Sequence, residues 1–381
     1  MSALKTVILT EVRIYKNGDS IFADPSFTKI LERYAQCFGE ITLVTRILNE
    51  KPKNGFVNIT DKCSSFANIG SIPKFLARRV ANNLQEAIYK SDLVVLRMPS
   101  LVSIKVYPLI KRRKKTYLVE VMGCAWDAYW NHGFAGKIIA LPAFLRIKRI
   151  IKKADYATYV TSHFLQERYP CRNKSISASN VSVSKIQEHK DYSKIDRNNI
   201  TLFTAAALNV KYKGQKYVIK ALRILKKKYG INATYYLAGK GNDDYLRRIS
   251  KRYGVAERVV ILGVQSREEI FDTMRKADIY VQPSLQEGLP RSMIEAMSCG
   301  CVCIGAKTAG IPELIREEYI FRRKSSKAIA GKINEVMKKD LCEISRQNAN
   351  ESKKYFEQTI NARRYNYYGK IVKDIKMNKV R

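Results

Sequence analysis

Between Ala277 and Gly310 the chain reads ADIYVQPSLQEGLPRSMIEAMSCGCVCIGAKTAG, and few folds accept that order of signals. Ile279 to Gln282 is a short run of β-branched and aromatic residues closed by Pro283 and Ser284, which predicts a buried strand. Pro290 suits a first helical position, where its missing N–H is unpaired anyway, and Gly300 suits the position just past a helix end. Arg291 to Cys299 therefore predicts a helix, and Cys301 to Ile304 the next strand. A strand, loop, helix, strand unit belongs in an open parallel sheet. Its loop carries Ser284, Glu287 and Gly288 to the carboxyl ends of the strands, where such sheets bind ligands.

The loop offers what a nucleotide-linked ligand needs. The N–H groups of Gly288 and Leu289, with Pro290 and the positive end of the helix behind them, form a diphosphate site. Glu287 and Glu295 stand eight residues apart, about 12 Å along a helix at about 1.5 Å per residue. That is too far for an acid/base pair at one atom, but it fits two hydroxyl-bearing parts of one extended ligand. Taken alone, two glutamates at this spacing also fit a solvated helix face.

The run E-G-L-P-R-S-M-I-E-A-M-S-C-G resembles the E-x7-E signature of the retaining glycosyltransferases of the GT4 family, which have the GT-B fold. The resemblance implies an α/β chain of two Rossmann-like, doubly wound parallel-sheet domains facing a cleft. It puts Glu287 on the donor sugar and Glu295 on the ribose. Upstream, Lys213-Gly214 is similar to the K-G with which the family grips the donor diphosphate, the ammonium supplying point charge and the glycine letting the backbone approach. Many relatives carry an arginine about five residues earlier; Leu208 stands there, with Lys211 nearby. Gly239 and Gly241 resemble the family's next G-x-G turn, and Gly263-Val264 the turn whose backbone holds the base.

The 381 residues suit two domains rather than one core. The first half alternates strand and helix signals. Strands are expected at Thr6–Thr10, Ile41–Thr45, Leu93–Arg97, Tyr117–Met122 and Ala154–Val160, and helices at Ser26–Cys37, Pro73–Tyr89, from Leu101 and at Thr161–Arg168. The second half gives an uninterrupted α/β series from Thr201 onward. Residues 183–198 are polar and aperiodic and read as an interdomain connection, while Ser345 to Lys373 reads as one long polar helix. In GT-B enzymes the last helix crosses back to the first domain. The expected division is therefore 1–188 with 357–381 as the acceptor domain and 189–356 as the nucleotide-sugar donor domain.

The loop MGCAWDAYWNHGFAG follows a strand and is dense in aromatic and polar groups. It reads as an acceptor-side wall with Asp127 and His132 as proton or hydroxyl partners, or as a simple aromatic cap on the core. Relatives place a histidine nearer that strand end, commonly as HD, a pair absent here.

Charge is the outlier of the composition: Lys+Arg 70 against Asp+Glu 34 gives +36, which calls for an anionic partner. It concentrates in KRRKK at Lys111 to Lys115 and in KIIALPAFLRIKRIIKK at Lys137 to Lys153, a mixture that reads as an interfacial helix on anionic lipid or as a basic face over a core stripe. The opening MSALKTVILTEVRIYK is not an ordinary signal peptide, and no run approaches the about 18 apolar residues of a spanning helix. The eight cysteines lack CxxC pairing, and Cys299, Cys301 and Cys303 read as small buried thiols, consistent with a cytoplasmic location at the inner face of the membrane. With no D-x-D, no metal and no cofactor are expected. The resemblance implies a metal-independent retaining transfer of a hexose, with a UDP-sugar as donor and a lipid-linked or oligosaccharide acceptor in envelope polysaccharide assembly. A GT-B-shaped sugar-nucleotide epimerase and phosphorylase are the enzymatic rivals. A basic nucleic-acid-binding protein is the other; no helix-turn-helix, zinc or RNP motif accompanies the charge, so no nucleic-acid partner is expected.

Overall fold

The computed structural model describes residues 3–131, 133–187 and 189–380. They form two compact units, Met1–Val160 with Leu165–Ala178 and Asn361–Arg381, and Thr161–Phe164 with Ser179–Ile360.

The first unit holds a sheet of nine strands: β1 (Leu4–Asn17), β2 (Ser20–Ala23), β3 (Gly39–Leu48), β4 (Val57–Asn58), β5 (Ser65–Asn68), β6 (Leu93–Met98), β7 (Tyr117–Val121), β8 (Tyr156–Tyr159) and β9 (Lys174–Ser177). Its parallel part runs β5-β3-β1-β6-β7-β8-β9. The strand expected at Thr6–Thr10 is longer, because past a register shift between Leu9 and Arg13 the chain continues into a hairpin with β2 through a turn at Gly18. The crossovers are α1 (Pro25–Phe38), α2 (Ile72–Ala77), α3 (Asn82–Lys90), α4 (Leu101–Arg112), α5 (Ala125–Trp130) and α6 (Gly133–Lys152), followed by the short α7 (Phe164–Arg168). Helix α1 shows why: Asp24 accepts from the Ser26 N–H, Pro25 opens the helix, and Phe27, Leu31, Tyr34 and Phe38 return to the core at helical spacing. The single helix expected over Pro73–Tyr89 is two, parted where Arg78 and Ala81 are extended.

The second unit has six parallel strands: β10 (Asn199–Ala205), β11 (Asn232–Ala238), β12 (Val259–Gly263), β13 (Ile279–Gln282), β14 (Val302–Ala306) and β15 (Ile320–Phe321), in the order β12-β11-β10-β13-β14-β15. Between them run α8 (Gln215–Tyr229), α9 (Asp244–Arg252), α10 (Arg267–Lys276), α11 (Arg291–Ser298), α12 (Ser326–Val336) and α13 (Leu341–Ser352). Helix α8 buries Val218, Ile219, Leu222 and Leu225 and ends at Gly230 in the left-handed conformation. The chain builds outward from β10 to β12 and then returns to β10's other side at β13, so the strand order reverses between β10 and β13.

The polar stretch after 178 is part of the second unit rather than a free connection. Val181, Val183 and Tyr192 lie in its core, Val183 bridges to Phe356, and the Tyr192 hydroxyl accepts from the Val302 N–H and donates to the Asp278 carbonyl. The units therefore change over at Ser179 and Asn361 instead of 189 and 357. The same bridge interrupts the long helix expected from Ser345: α13 ends at Ser352, a 3-10 turn follows, and α14 (Glu357–Val380) begins anew. From Asn361 on, α14 belongs to the first unit, where Tyr367, Tyr368, Ile371 and Ile375 join the core and Tyr368 packs on Tyr34 and Phe38.

Candidate donor site

The loops that leave β10 and β13 meet, since these strands are neighbours at the reversal, the position where doubly wound sheets open a crevice. The Leu285 N–H donates to the Tyr212 carbonyl, tying one loop to the other. Gly214 is required at this contact: its φ is +80° and a Cβ would stand 2.0 Å from the Pro283 carbonyl oxygen. Gly239, at the end of β11, has the same constraint against the Ala206 carbonyl, at 2.1 Å. The Leu208 N–H donates to the Lys240 carbonyl and the Gly239 N–H to that of Gly263, so the turns bearing Gly241 and Val264 are pinned beside the first two.

This packing places the Lys213 ammonium 2.7 Å from Oε1 of Glu287, across 74 residues of sequence. The same oxygen accepts from Nε2 of Gln282 at 3.2 Å. Gln282 also donates to Ser284 Oγ at 2.8 Å, and its Oε1 lies in hydrogen-bond range of the Tyr280 hydroxyl at 3.0 Å, which in turn lies 2.8 Å from Ser292 Oγ. Burial pushes the Tyr280 hydroxyl well above its usual pKa. Pro290 caps α11 rather than opening its first turn, and Cys299 rather than a ninth helical residue closes it, with Gly300 left-handed beyond. No side chain or carbonyl among the described residues takes the N–H of Gly288 or Leu289.

Of the residues expected to form the site, Lys213, Gly214, Ser284, Glu287, Gly288, Leu289 and Pro290 come together here. Ser284 is fully buried and serves the Gln282 network instead of an open wall. Glu295 lies on α11 and Glu287 before it, so only part of their separation is helical. Burial pushes the Glu295 carboxyl up against the lowering influence of Arg291 and Arg267, the latter 3.9 Å away. Leu208 is buried in the core, and the Lys211 ammonium sits 5.3 Å from the Tyr245 ring centre, so neither stands in this contact as the family's arginine would.

Asp127 belongs to the first unit. The segment read as a loop is helical: α5 stacks Trp126 on Trp130 at 5.0 Å, and Asp127 is half-buried on it. His132 lies outside the described residues. Sequence reasoning missed Gln282 and Ser292. A signal existed, since Gln282 is the one strongly polar side chain in the strand IYVQ.

The solved structures with this arrangement include sucrose-phosphate synthase from Thermosynechococcus elongatus, at a TM-score of 0.68 and 13% identity over 97% of this chain and 99% of that one. The Anabaena protein HepE in complex with UDP-glucose gives 0.64 and 15% over 97% and 99%. The fold is therefore GT-B. A model described as glycosyl transferases group 1 matches residues 184–355. Protein CapJ of Staphylococcus aureus is 29% identical over 340 residues, 87% of this chain and 86% of that protein. The N,N'-diacetylbacillosaminyl-diphospho-undecaprenol alpha-1,3-N-acetylgalactosaminyltransferase of Campylobacter jejuni is 28% identical over 186 residues, 48% and 47%. Over residues 184–355 the chain is therefore similar to glycosyltransferases of group 1, in line with the GT4 resemblance of its E-x7-E run.

Proposed function

We propose that the chain is a glycosyltransferase of the GT4 type that moves a hexose from a UDP-sugar to a lipid-linked or oligosaccharide acceptor, with retention, in assembly of a capsule or related envelope polysaccharide. The observation that carries the donor half is the Lys213–Glu287 contact at the strand reversal. An ammonium, two unengaged N–H groups and a helix N-terminus neutralise a departing diphosphate without a metal. Glu287 then holds the donor sugar and Glu295 the ribose, while Gly239, Gly241 and Val264 line the diphosphate and base side. Attack comes from the face the diphosphate leaves, with no protein nucleophile. UDP is favoured by the HepE complex, and a lipid-linked acceptor by the undecaprenol in the Campylobacter relative's name.

The acceptor half draws on the first unit. Asp127 and the stacked tryptophans of α5 are the proposed acceptor contacts. No helix among the described residues is long and apolar enough to cross a membrane. Helix α6 nevertheless has two apolar faces. Ala140, Ala143, Ile147 and Ile150 are buried, while Phe134, Ile138, Leu141 and Leu145 form an exposed stripe at four-, three- and four-residue spacing. Beside it a cavity of about 890 Å³ between α2, α4 and α6 is lined by Leu76, Ile104 and Ile139 and by Lys105, Lys111, Arg146, Arg149 and Lys153. Apolar stripe and clustered cations suit the surface of an anionic bilayer.

Thermal melts with UDP, GDP, ADP and their sugar conjugates, without added metal, test the donor. A ligand at a hundredfold excess over its dissociation constant adds about 2.7 kcal/mol. Stabilisation by UDP compounds alone is expected, and stabilisation by none sinks the donor assignment. Sedimentation with vesicles containing phosphatidylglycerol, but not with phosphatidylcholine alone, is expected if the membrane reading is right. Binding to neither argues against it.

A further inference from the structure

One carboxylate oxygen of Glu287 is bonded twice, by a cation that faces solvent and by an amide that does not. The Lys213 side chain is 23% exposed, whereas Gln282 as a residue is 1% exposed. No hydrogen bond among the described residues falls on Oε2 of Glu287. The amide's orientation is fixed by its neighbours. Oε1 of Gln282 faces the Tyr280 and Ser292 hydroxyls, which can donate, and Nε2 faces Ser284 Oγ and the Glu287 carboxylate, which can accept. Turned over, its oxygen would meet a carboxylate oxygen with no proton between them.

We infer that Gln282 is the positioning residue of the donor site, holding Oε1 of Glu287 in place when the Lys213 ammonium turns to the donor diphosphate, so that Oε2 meets the sugar at a fixed angle. The inference rests on the reading of Glu287 as the carboxylate that touches the donor sugar. Lys213 has two anions to serve once a donor binds, and a diphosphate carries more charge than one carboxylate. Glu287 then loses its cation at the step when its orientation counts. Gln282 is insulated from that exchange, since no ligand reaches it and the network from Tyr280 through Ser292 to Ser284 fixes both ends of its amide. The sequence provides the device economically. Gln282 is the last residue of β13, Tyr280 shares its face two residues earlier, and Glu287 lies at the far end of the same loop.

Two variants test this with the UDP-sugar that shifts the melt and with UDP as the equilibrium probe. Gln282→Leu keeps volume but removes the bond to Oε1. UDP affinity and donor KM should stay within about threefold while kcat falls about tenfold to a hundredfold, the range spanned by a hydrogen bond to a charged group. Gln282→Glu keeps the shape and sets a carboxyl against Glu287. The charged groups facing that position are Glu287 and Lys213, and the Tyr280 hydroxyl stays protonated. Two carboxyls in contact share one proton at low pH, and the introduced carboxyl then donates as the amide did. Its kcat should approach the parent's at about pH 5 and fall as pH rises and the shared proton leaves, while the parent shows no such fall. Parent-like kcat in Gln282→Leu, or a Gln282→Glu profile parallel to the parent's, overturns the proposal. If the leucine variant fails to fold or to bind UDP, the isosteric glutamate variant decides alone. Full turnover by Glu287→Gln would instead remove the underlying reading, and an inactive Glu287→Gln beside an active Gln282→Leu removes only the role given to Gln282.

Discussion

Each unit of this chain contains a close pair of opposite charges, and the two have nearly the same length. In the first, Arg97 Nε lies 2.6 Å from Glu120 Oε2, with side chains 4% and 2% exposed; in the second, Lys213 Nζ lies 2.7 Å from Glu287, with 23% and 11%. Their settings differ in kind. Glu120 also accepts from the Tyr34 hydroxyl, lies near Arg33 and Arg364, and joins β7 to α1 and β6 from inside the sheet. Glu287 stands on a loop beyond a strand end, open on one side. Distance does not separate a structural pair from a functional one here; access does. A pair sealed among its partners has nothing to exchange, whereas a pair with one solvent-facing member can trade that member for a ligand.

The largest effect should come from breaking the sealed pair. Glu120→Ala leaves Arg97, 5.4 Å above the Phe27 ring, without its buried counter-charge and close to two more guanidinium groups. Removing one partner of a buried pair costs roughly 3–5 kcal/mol, read as a lower urea midpoint. The same pair sets an acid limit. Burial raises the Glu120 carboxyl, but Arg97, Arg33 and Arg364 outweigh it and hold it at about 2. A depressed carboxyl contributes stability that is fully present above its unfolded value of about 4.3. That contribution is lost as pH falls from there toward 2. Urea midpoints should decline across this window in the parent, and less steeply in Glu120→Ala. An unchanged midpoint in the variant at neutral pH would show that the pair is not what holds β6, β7 and α1 together.

For the open pair the order of effects should reverse. Lys213→Ala and Glu287→Gln should each lower donor turnover about 10²-fold or more, as loss of a single charge-stabilising group does, while moving the melt of the ligand-free protein little. A large drop in melting temperature with turnover preserved would make this pair structural too and dissolve the contrast.

How much of this the sequence disclosed follows the same division. The second unit was readable because its signals are local. Proline and serine close β13, found at Ile279–Gln282 as its pattern predicts, and the loop glycines mark close backbone contacts. The first unit was less so. The stretch read as an aromatic loop was a helix. Arg97 and Glu120 each interrupt an apolar strand, LVVLRM and YLVEV, which marks a buried charge but not its partner. Val183 pairing with Phe356 joins segments far apart in the chain, and no local pattern announces such a bridge. Gln282 was hidden for the opposite reason. As the end of a buried strand it read as part of the wall, and only the contact with Glu287 shows its second role.

The smallest effect is the control that the contrast needs. Lys90 and Glu86 also lie 2.6 Å apart, one turn along α3, but with side chains 64% and 61% exposed. If proximity alone decided the worth of an ion pair, Glu86→Gln would match Glu120→Ala, because the two distances are equal. Water screens the exposed charges, and holding two long side chains in one geometry costs entropy that the weak attraction barely offsets. Glu86→Gln should therefore leave the melting temperature unchanged within error, and added salt should not separate it from the parent. A clear loss of stability in Glu86→Gln would mean that burial is not the variable that ranks these pairs, and the distinction drawn between Glu120 and Glu287 would have to rest on their hydrogen-bonded neighbours instead.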